Sequence, residues 1–243
     1  MDINNAVVLV TGASSGIGAA TARSASRAGA KVVLLARRED RIRQLAEELG
    51  EALPVRCDVT DAAQIASAVQ AAMDRFGRID VLVNNAGQGA GSTIGEIDPE
   101  GFRALLNLNV VAPLLMMQAV LPFMRQQGGG SIVNVSSGII FGAQPGSGAY
   151  GSSKAALAKL SAVARTELAS VGIVVSTMYP FITATEFLKS LQTGHEMASQ
   201  LETSHAPQPD KPERVAEAIL DLIRTGAEQA DRVPEKFGGT LKD

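Results

Sequence analysis

The chain has 243 residues, 46% of them hydrophobic and 19% charged, a globular composition long enough to bury roughly 70–75% of its unfolded surface without staples. Its formal charge is −3, from 22 Lys and Arg against 25 Asp and Glu, and the basic residues form no stripe, which argues against a nucleic-acid partner. One Cys and two His exclude a disulfide framework and a Cys-based zinc site, and they argue against a His-built metal centre.

Met-Asp-Ile-Asn-Asn precedes the first apolar run with no basic region or cleavage signal, so a cytoplasmic protein is expected. Strand Ala6–Val10 leads through a glycine-rich turn into helix Gly16–Ala28, then strand Lys31–Ala36 and helix Arg38–Leu49. Strand Leu53–Cys57, helix Asp61–Phe76 and strand Ile79–Val83 follow, then a long helix Pro99–Gln126 opened by an Asp98-Pro99 cap. Its greasiest part, Val110 to Met124, holds Pro113, Gln118 and Pro122 and falls short of the ~20 residues of a membrane span, so it reads as a buried helix. Strand Ser131–Val135, helix Tyr150–Ser170 and strand Ile173–Met178 complete the pattern, with Gly77 and Gly172 at helix stops. Several strands are continuous apolar runs, which suits parallel strands covered on both faces. The expectation is one α/β domain over residues 1–243, a doubly wound, mostly parallel sheet with helices on both faces.

Residues 183–212 are polar, hold His195 and His205, and read as a substrate lid after the sixth strand, with both His as solvated loop residues. Cys57, at a strand end, reads as a small packed side chain. Residues 226–243 form either a last strand or a tail.

Between the first strand and helix stands Thr11-Gly12-Ala13-Ser14-Ser15-Gly16-Ile17-Gly18. Glycines allow a tight turn and close backbone approach, and the N–H groups of a helix start attract a pyrophosphate. The spacing G-x-x-x-G-x-G differs from the standard dinucleotide fingerprint, and the alternative is a merely tight turn. The second strand ends Leu35-Ala36-Arg37-Arg38, with no acid before Glu39. An acid there binds the ribose hydroxyl of NAD, whereas Arg accommodates the 2′-phosphate of NADP. Arg37 and Arg38 therefore point to NADP(H) over NAD(H), unless they merely lie on a solvated helix start.

Tyr150 and Lys154 are spaced i, i+4 at the start of a helix and share a face. An ammonium ~4 Å from a phenol contributes about 4 kcal/mol at an effective dielectric near 20, enough to bring a pKa near 10 toward neutrality. Such a pair works as a general acid or base; the alternative is a surface Lys beside a packed Tyr.

These motifs stand with Asp58 after the third strand, Asn84-Asn85-Ala86-Gly87 after the fourth, Asn109 in the long helix, Ser137 thirteen residues before Tyr150, and Tyr150-Gly151-Ser152-Ser153-Lys154. From about Ala6 to Thr185 the chain resembles the compact, single-domain short-chain dehydrogenase/reductases, which have a Rossmann-like fold. The resemblance implies that Tyr150 exchanges the proton with substrate oxygen and that Lys154 lowers its pKa and holds the nicotinamide ribose. It implies that Ser137, rather than its neighbour Ser136, hydrogen-bonds the reacting oxygen, and that Asn109 anchors a water in a proton relay. Pro113 denies the Asn109 carbonyl its i+4 partner, leaving either a water acceptor or a plain kink.

The resemblance further implies that Gly12, Ser14, Ser15, Gly16, Ile17, Gly18, Arg37 and Arg38 contact the cofactor. Asp58 and Val59 would stand near adenine, although Asp58 also reads as a helix cap. Asn84, Ala86 and Gly87 would line the adenosine side while Asn85 supports the strand, and Pro180, Ile182 and Thr185 would neighbour the carboxamide and phosphates. Two departures are Phe181 where the family usually has Gly, and an ending without the usual glycines. A small, moderately hydrophobic carbonyl or alcohol substrate and a homodimer or homotetramer are expected from the resemblance. An NAD(H)-linked alcohol dehydrogenase and a non-catalytic dinucleotide-binding sensor or scaffold are the alternatives.

Overall fold

A computed structural model describes residues 1–187 and 208–242; His195, His205 and most of the segment read as a lid lie outside the described residues. Strands β1 (Val7–Thr11), β2 (Lys31–Ala36), β3 (Ala52–Arg56), β4 (Val81–Asn84), β5 (Gly130–Val135), β6 (Ile173–Tyr179) and β7 (Gln229–Asp231) form one sheet. Their order is β3-β2-β1-β4-β5-β6-β7, and every neighbouring pair is parallel. Helices α1 (Gly16–Arg27), α2 (Glu39–Leu49), α3 (Ala62–Phe76), α4 (Pro99–Leu106), α5 (Ala112–Gln126), α6 (Gly148–Leu168) and α7 (Pro212–Thr225) cover its two faces.

The sequence of β1 shows why both faces are apolar. Val8 and Val10 pack with Ala22 and Ala25 of α1 and with Val215 and Ile219 of α7. Val7 and Leu9 point the other way, onto Ile65 and Val69 of α3 and Met116 and Val120 of α5. A strand between two helical layers has no use for alternation.

From β1 the chain winds outward through β2 and β3, then returns across β1 to β4, so β1 and β4 flank the topological switch point. Two polar side chains lock this seam. At its lower end the Asp80 carboxylate accepts from the Val7 N–H at 2.8 Å and pairs with Arg78. At its upper end the Thr11 hydroxyl accepts from the N–H groups of Asn85 and Ala86, both at 3.0 Å.

Asp98 caps α4 as its sequence suggests, accepting from Glu100 and Gly101 N–H with Pro99 in the first turn. Gly77 closes α3 with a left-handed φ of 74°, and Gly172 has the same φ after the short 3-10 turn that ends α6.

The long helix differs from expectation: it is broken into α4, a five-residue π turn at Asn107–Val111, and α5. Within the break the Ala112 N–H reaches back to the Asn107 carbonyl, five residues earlier. Pro113 next to it has no N–H to continue an ordinary ladder, and the widened turn accommodates that. By length and composition the α4–α5 run could cross a bilayer, but Met116, Met117, Val120 and Met124 are buried on the sheet. The C-terminal ambiguity resolves as both alternatives: β7 extends the sheet, and a tail with a short 3-10 turn at Glu235–Phe237 follows it.

Candidate active site

A crevice of about 1180 Å³ opens at the carboxyl ends of the strands and holds most of the expected site residues. Lys154, nearly two turns into α6, is 4% exposed, and its Nζ donates to the Val135 carbonyl at 2.9 Å and lies 6.0 Å from the centre of the Tyr150 ring. Burial pulls the Lys154 ammonium down to about 8. Burial pushes the Tyr150 phenol up to about 12, opposed by a hydrogen bond with Ser137. In this structure the Lys154 ammonium is engaged by a backbone carbonyl at β5, and desolvation outweighs the Ser137 bond at the phenol.

Ser137 and Ser136 separate cleanly. Ser137 bonds to Tyr150 and also accepts from the Ile139 N–H at 3.3 Å. The Ser136 hydroxyl turns to the Lys154 carbonyl at 2.9 Å and anchors α6.

Asn109 sits inside the π turn and is fully buried. Its Oδ1 accepts from Gln88 N–H at 3.0 Å, and its Nδ2 donates to the Gln88 carbonyl at 2.9 Å and to Ser153 Oγ at 3.0 Å. The side chain thereby ties the loop after β4 to α6. Gly87 leaves room for it: a Cβ there would stand 3.1 Å from Asn109 Oδ1 and 3.2 Å from Lys154 Nζ, close enough that these atoms would have to shift by a few tenths of an ångström.

The glycine-rich turn forms the floor. A Cβ on Gly18 would lie 2.4 Å from the Gly12 carbonyl oxygen and 2.5 Å from Asn85 Nδ2, so only Gly lets α1 start this close to β1. Ser15 is the N-cap of α1 but makes no cap bond with its side chain. Its hydroxyl and that of Ser14 receive the Arg38 guanidinium at 2.7 and 2.9 Å. Arg38 also donates to Glu186 at 2.9 Å, and Arg41 to the same carboxylate at 2.8 Å. The expected Arg37, Asp58, Val59, Ala86, Pro180, Ile182 and Thr185 all line the crevice, together with Gly12, Gly16 and Ile17.

The Thr60 N–H and hydroxyl, with Arg37 farther off, hold the Asp58 carboxyl below its usual range. Its turn role and its place on the wall coexist, while Asp61 is the cap of α3. Cys57 beside it is buried, its thiol pushed up to about 11 by desolvation, consistent with a packed, inert side chain.

Of the adjacent asparagines, Asn84 does not line the crevice as expected, whereas Asn85 holds strand β1 as expected and also reaches the crevice. Asn84 lies inside the sheet, 3% exposed, donating to Asn134 Oδ1 at 2.9 Å. Asn85 reaches the crevice wall, and its amide grips the Thr11 carbonyl at 2.9 Å. The strand runs one residue beyond its expected end at Val83, and that residue, Asn84, keeps a sheet side chain's direction.

Phe181 has no left-handed backbone, and its ring stacks on Phe237 of the C-terminal tail at 5.1 Å between centroids. Lys236, Phe237 and Gly238 join Phe141 on the outer wall. Sequence reasoning missed this tail, whose only signal is an aromatic followed by two glycines. It also missed Glu186 and Phe187, whose ring meets that of Tyr150 at 5.6 Å.

These residues fit a dinucleotide. The floor is a glycine cradle that side chains would fill, a helix start faces the crevice, and hydroxyl and guanidinium donors gather at the end of β2. The volume exceeds the roughly 300–1,000 Å³ of ordinary ligand pockets, leaving room for a second molecule beside Tyr150.

The family model for short chain dehydrogenases matches residues 6–196. A 3-oxoacyl-[acyl-carrier-protein] reductase of Thermotoga maritima is 35% identical over 229 residues, covering 91% of this chain and 92% of its own. A short-chain dehydrogenase/reductase of Burkholderia phymatum, solved with NAD, superposes with a TM-score of 0.90 at 25% identity, covering 97% of this chain and 91% of that one. An alcohol dehydrogenase of the archaeon Thermococcus sibiricus, solved with 5-hydroxy-NADP, gives 0.81 at 28% identity over 93% and 95% of the two chains.

Proposed function

The chain belongs to the short-chain dehydrogenase/reductase family of oxidoreductases, and from that membership we propose that it is an NADP(H)-dependent enzyme acting on a carbonyl compound or the matching secondary alcohol. The observation that carries this reading is the half-buried Tyr150, bonded to Ser137 and flanked by Lys154, at one end of a glycine-floored crevice. When bound, the nicotinamide ring supplies or accepts the hydride. Tyr150 gives its phenolic proton to the substrate oxygen in reduction and takes it back in oxidation. Ser137 bonds the same oxygen, so two donors stand ready where negative charge develops. Raised to about 12, the phenol is protonated at neutral pH, the form that carbonyl reduction requires. Lys154 keeps a cation beside Tyr150 and offers its remaining donors to the cofactor's ribose. Asn109 places Gln88 and Ser153 around this group and serves the proton path to Lys154.

Phe141, Phe181 and Phe237 on the outer wall suit a substrate with an apolar body. Arg37 and Arg38 at the end of β2 support the phosphorylated cofactor. A second reading, an NAD(H)-linked alcohol dehydrogenase, is favoured by the prior engagement of Arg38 with Ser14, Ser15 and Glu186. A cytoplasmic homodimer or homotetramer is part of the proposal, supported by apolar Val111 and Val163, which stay exposed on the helical face.

Fluorescence titration with NADPH and with NADH, followed by a carbonyl screen with wild type and Tyr150→Phe, tests the reading. NADPH should bind at least tenfold tighter, about 1.4 kcal/mol. Tyr150→Phe should lose turnover by 10²-fold or more while keeping its cofactor affinity. Tighter NADH binding selects the second reading, and turnover that survives Tyr150→Phe removes this tyrosine from the chemistry.

A further inference from the structure

Three consecutive residues after β6 lie across the dinucleotide crevice. Thr185 rests on the glycine-rich turn, its Cγ2 3.0 Å from where a Gly16 Cβ would be. Phe187 meets the Tyr150 ring at 5.6 Å. Between them Glu186 reaches the outer end of the crevice and takes Arg38 at 2.9 Å and Arg41 at 2.8 Å. Arg38 is itself held by the hydroxyls of Ser14 and Ser15. One carboxylate thus accepts from two guanidinium groups beside the loop hydroxyls, at the end of β2 where a 2′-phosphate would be read. The same two arginines lower the Glu186 pKa, as expected of an anion in a cationic setting.

Resting on the NADP(H) reading, we propose that Glu186 is an internal anion occupying the 2′-phosphate subsite, and that a 2′-phosphorylated adenosine must displace it to bind. Glu186 then sets cofactor selectivity from a segment far in sequence from the arginines. A phosphate near −2 outcompetes a carboxylate of −1 for two guanidinium groups. An adenosine with a bare 2′-hydroxyl makes no such exchange and leaves the Glu186 pairs in place. The three side chains are nearly half exposed, at 44%, 42% and 49%, so the competition is modest.

Calorimetric titration of wild type and Glu186→Gln with adenosine 2′,5′-bisphosphate and with 5′-AMP isolates this end of the crevice; NADPH and NADH titrations extend it to whole cofactors. The variant should bind the bisphosphate and NADPH about fivefold tighter, which is about 1 kcal/mol, with 5′-AMP and NADH changed by less than twofold. Glu186→Ala should repeat the pattern, and thermal melts unchanged from wild type verify the fold. Unchanged or weaker bisphosphate binding overturns the proposal, as does equal tightening of all four ligands, which would mark a steric obstruction. The result is read from the ratio of variant to wild type for each ligand. A wild type that prefers NADH would therefore overturn the NADP(H) reading while leaving the Glu186 test intact.

Discussion

Lys154 is charged at neutral pH in a place that disfavours charge. Its folded-state value near 8, against 10.5 ordinarily, means that between those values the unfolded chain binds more protons than the native one. Stability from this residue therefore rises with pH across that window and is lost as pH falls back through about 8. Lys154→Met, similar in length and uncharged, removes the dependence. The difference in unfolding free energy should shift toward wild type by on the order of 3 kcal/mol between pH 8 and 10.5, read from urea midpoints. Tyr150 acts oppositely at higher pH: raised to about 12, its stabilisation is complete below pH 10 and lost as pH climbs through 12. These magnitudes were not legible in the sequence. The i, i+4 spacing put Tyr150 and Lys154 on one face, but burial and the Val135 carbonyl come from strands and loops far along the chain. The choice of Ser137 over Ser136 followed from spacing, whereas the place of Asn84 inside the sheet turned on a strand end one residue later than expected.

At the scale of elements, the π turn is the feature that places Asn109. Pro113→Ala restores an N–H and favours a regular helix through this stretch. Straightening would rotate Asn109 away from Gln88 and Ser153, loosening the wall beside Lys154. We expect kcat to fall about tenfold, near 1.4 kcal/mol of barrier, with the thermal midpoint unchanged or raised; loss of stability together with activity would point instead to packing damage. The proline was visible in the sequence, but whether it kinks, ends or widens a helix depends on what the freed groups find nearby, here a loop more than twenty residues away. Strands β1, β2, β5 and β6 were legible because an apolar run between two helical layers has one good solution. The three-residue β7, Gln229–Asp231, carries no apolar run; it pairs at the sheet edge with β6, a long-range contact that local composition does not encode.

For the whole molecule, the C-terminal tail closes one side of the crevice. Val233 is fully buried against Gly138, where a Cβ would lie 2.2 Å from its Cγ2, and Arg232, just past the carboxyl end of β7, pairs with Asp210 at 2.7 Å. Deleting residues 234–243 keeps both of these and removes Lys236, Phe237 and Gly238. The substrate KM should rise tenfold or more while NADPH affinity stays within twofold, measured by initial rates and by fluorescence titration. A matching loss of cofactor affinity would show that the tail supports the whole cleft. The central position of β1 has a different consequence, one that belongs to the order in which the chain is made. β1 ends at Thr11, yet its second neighbour begins only at Val81. At synthesis rates of about 5–20 residues per second, a strand apolar from Val7 to Val10 waits roughly 4–14 s with one edge open. The strand that anchors the finished sheet is therefore, in the nascent chain, the surface most exposed to pairing with the wrong partner.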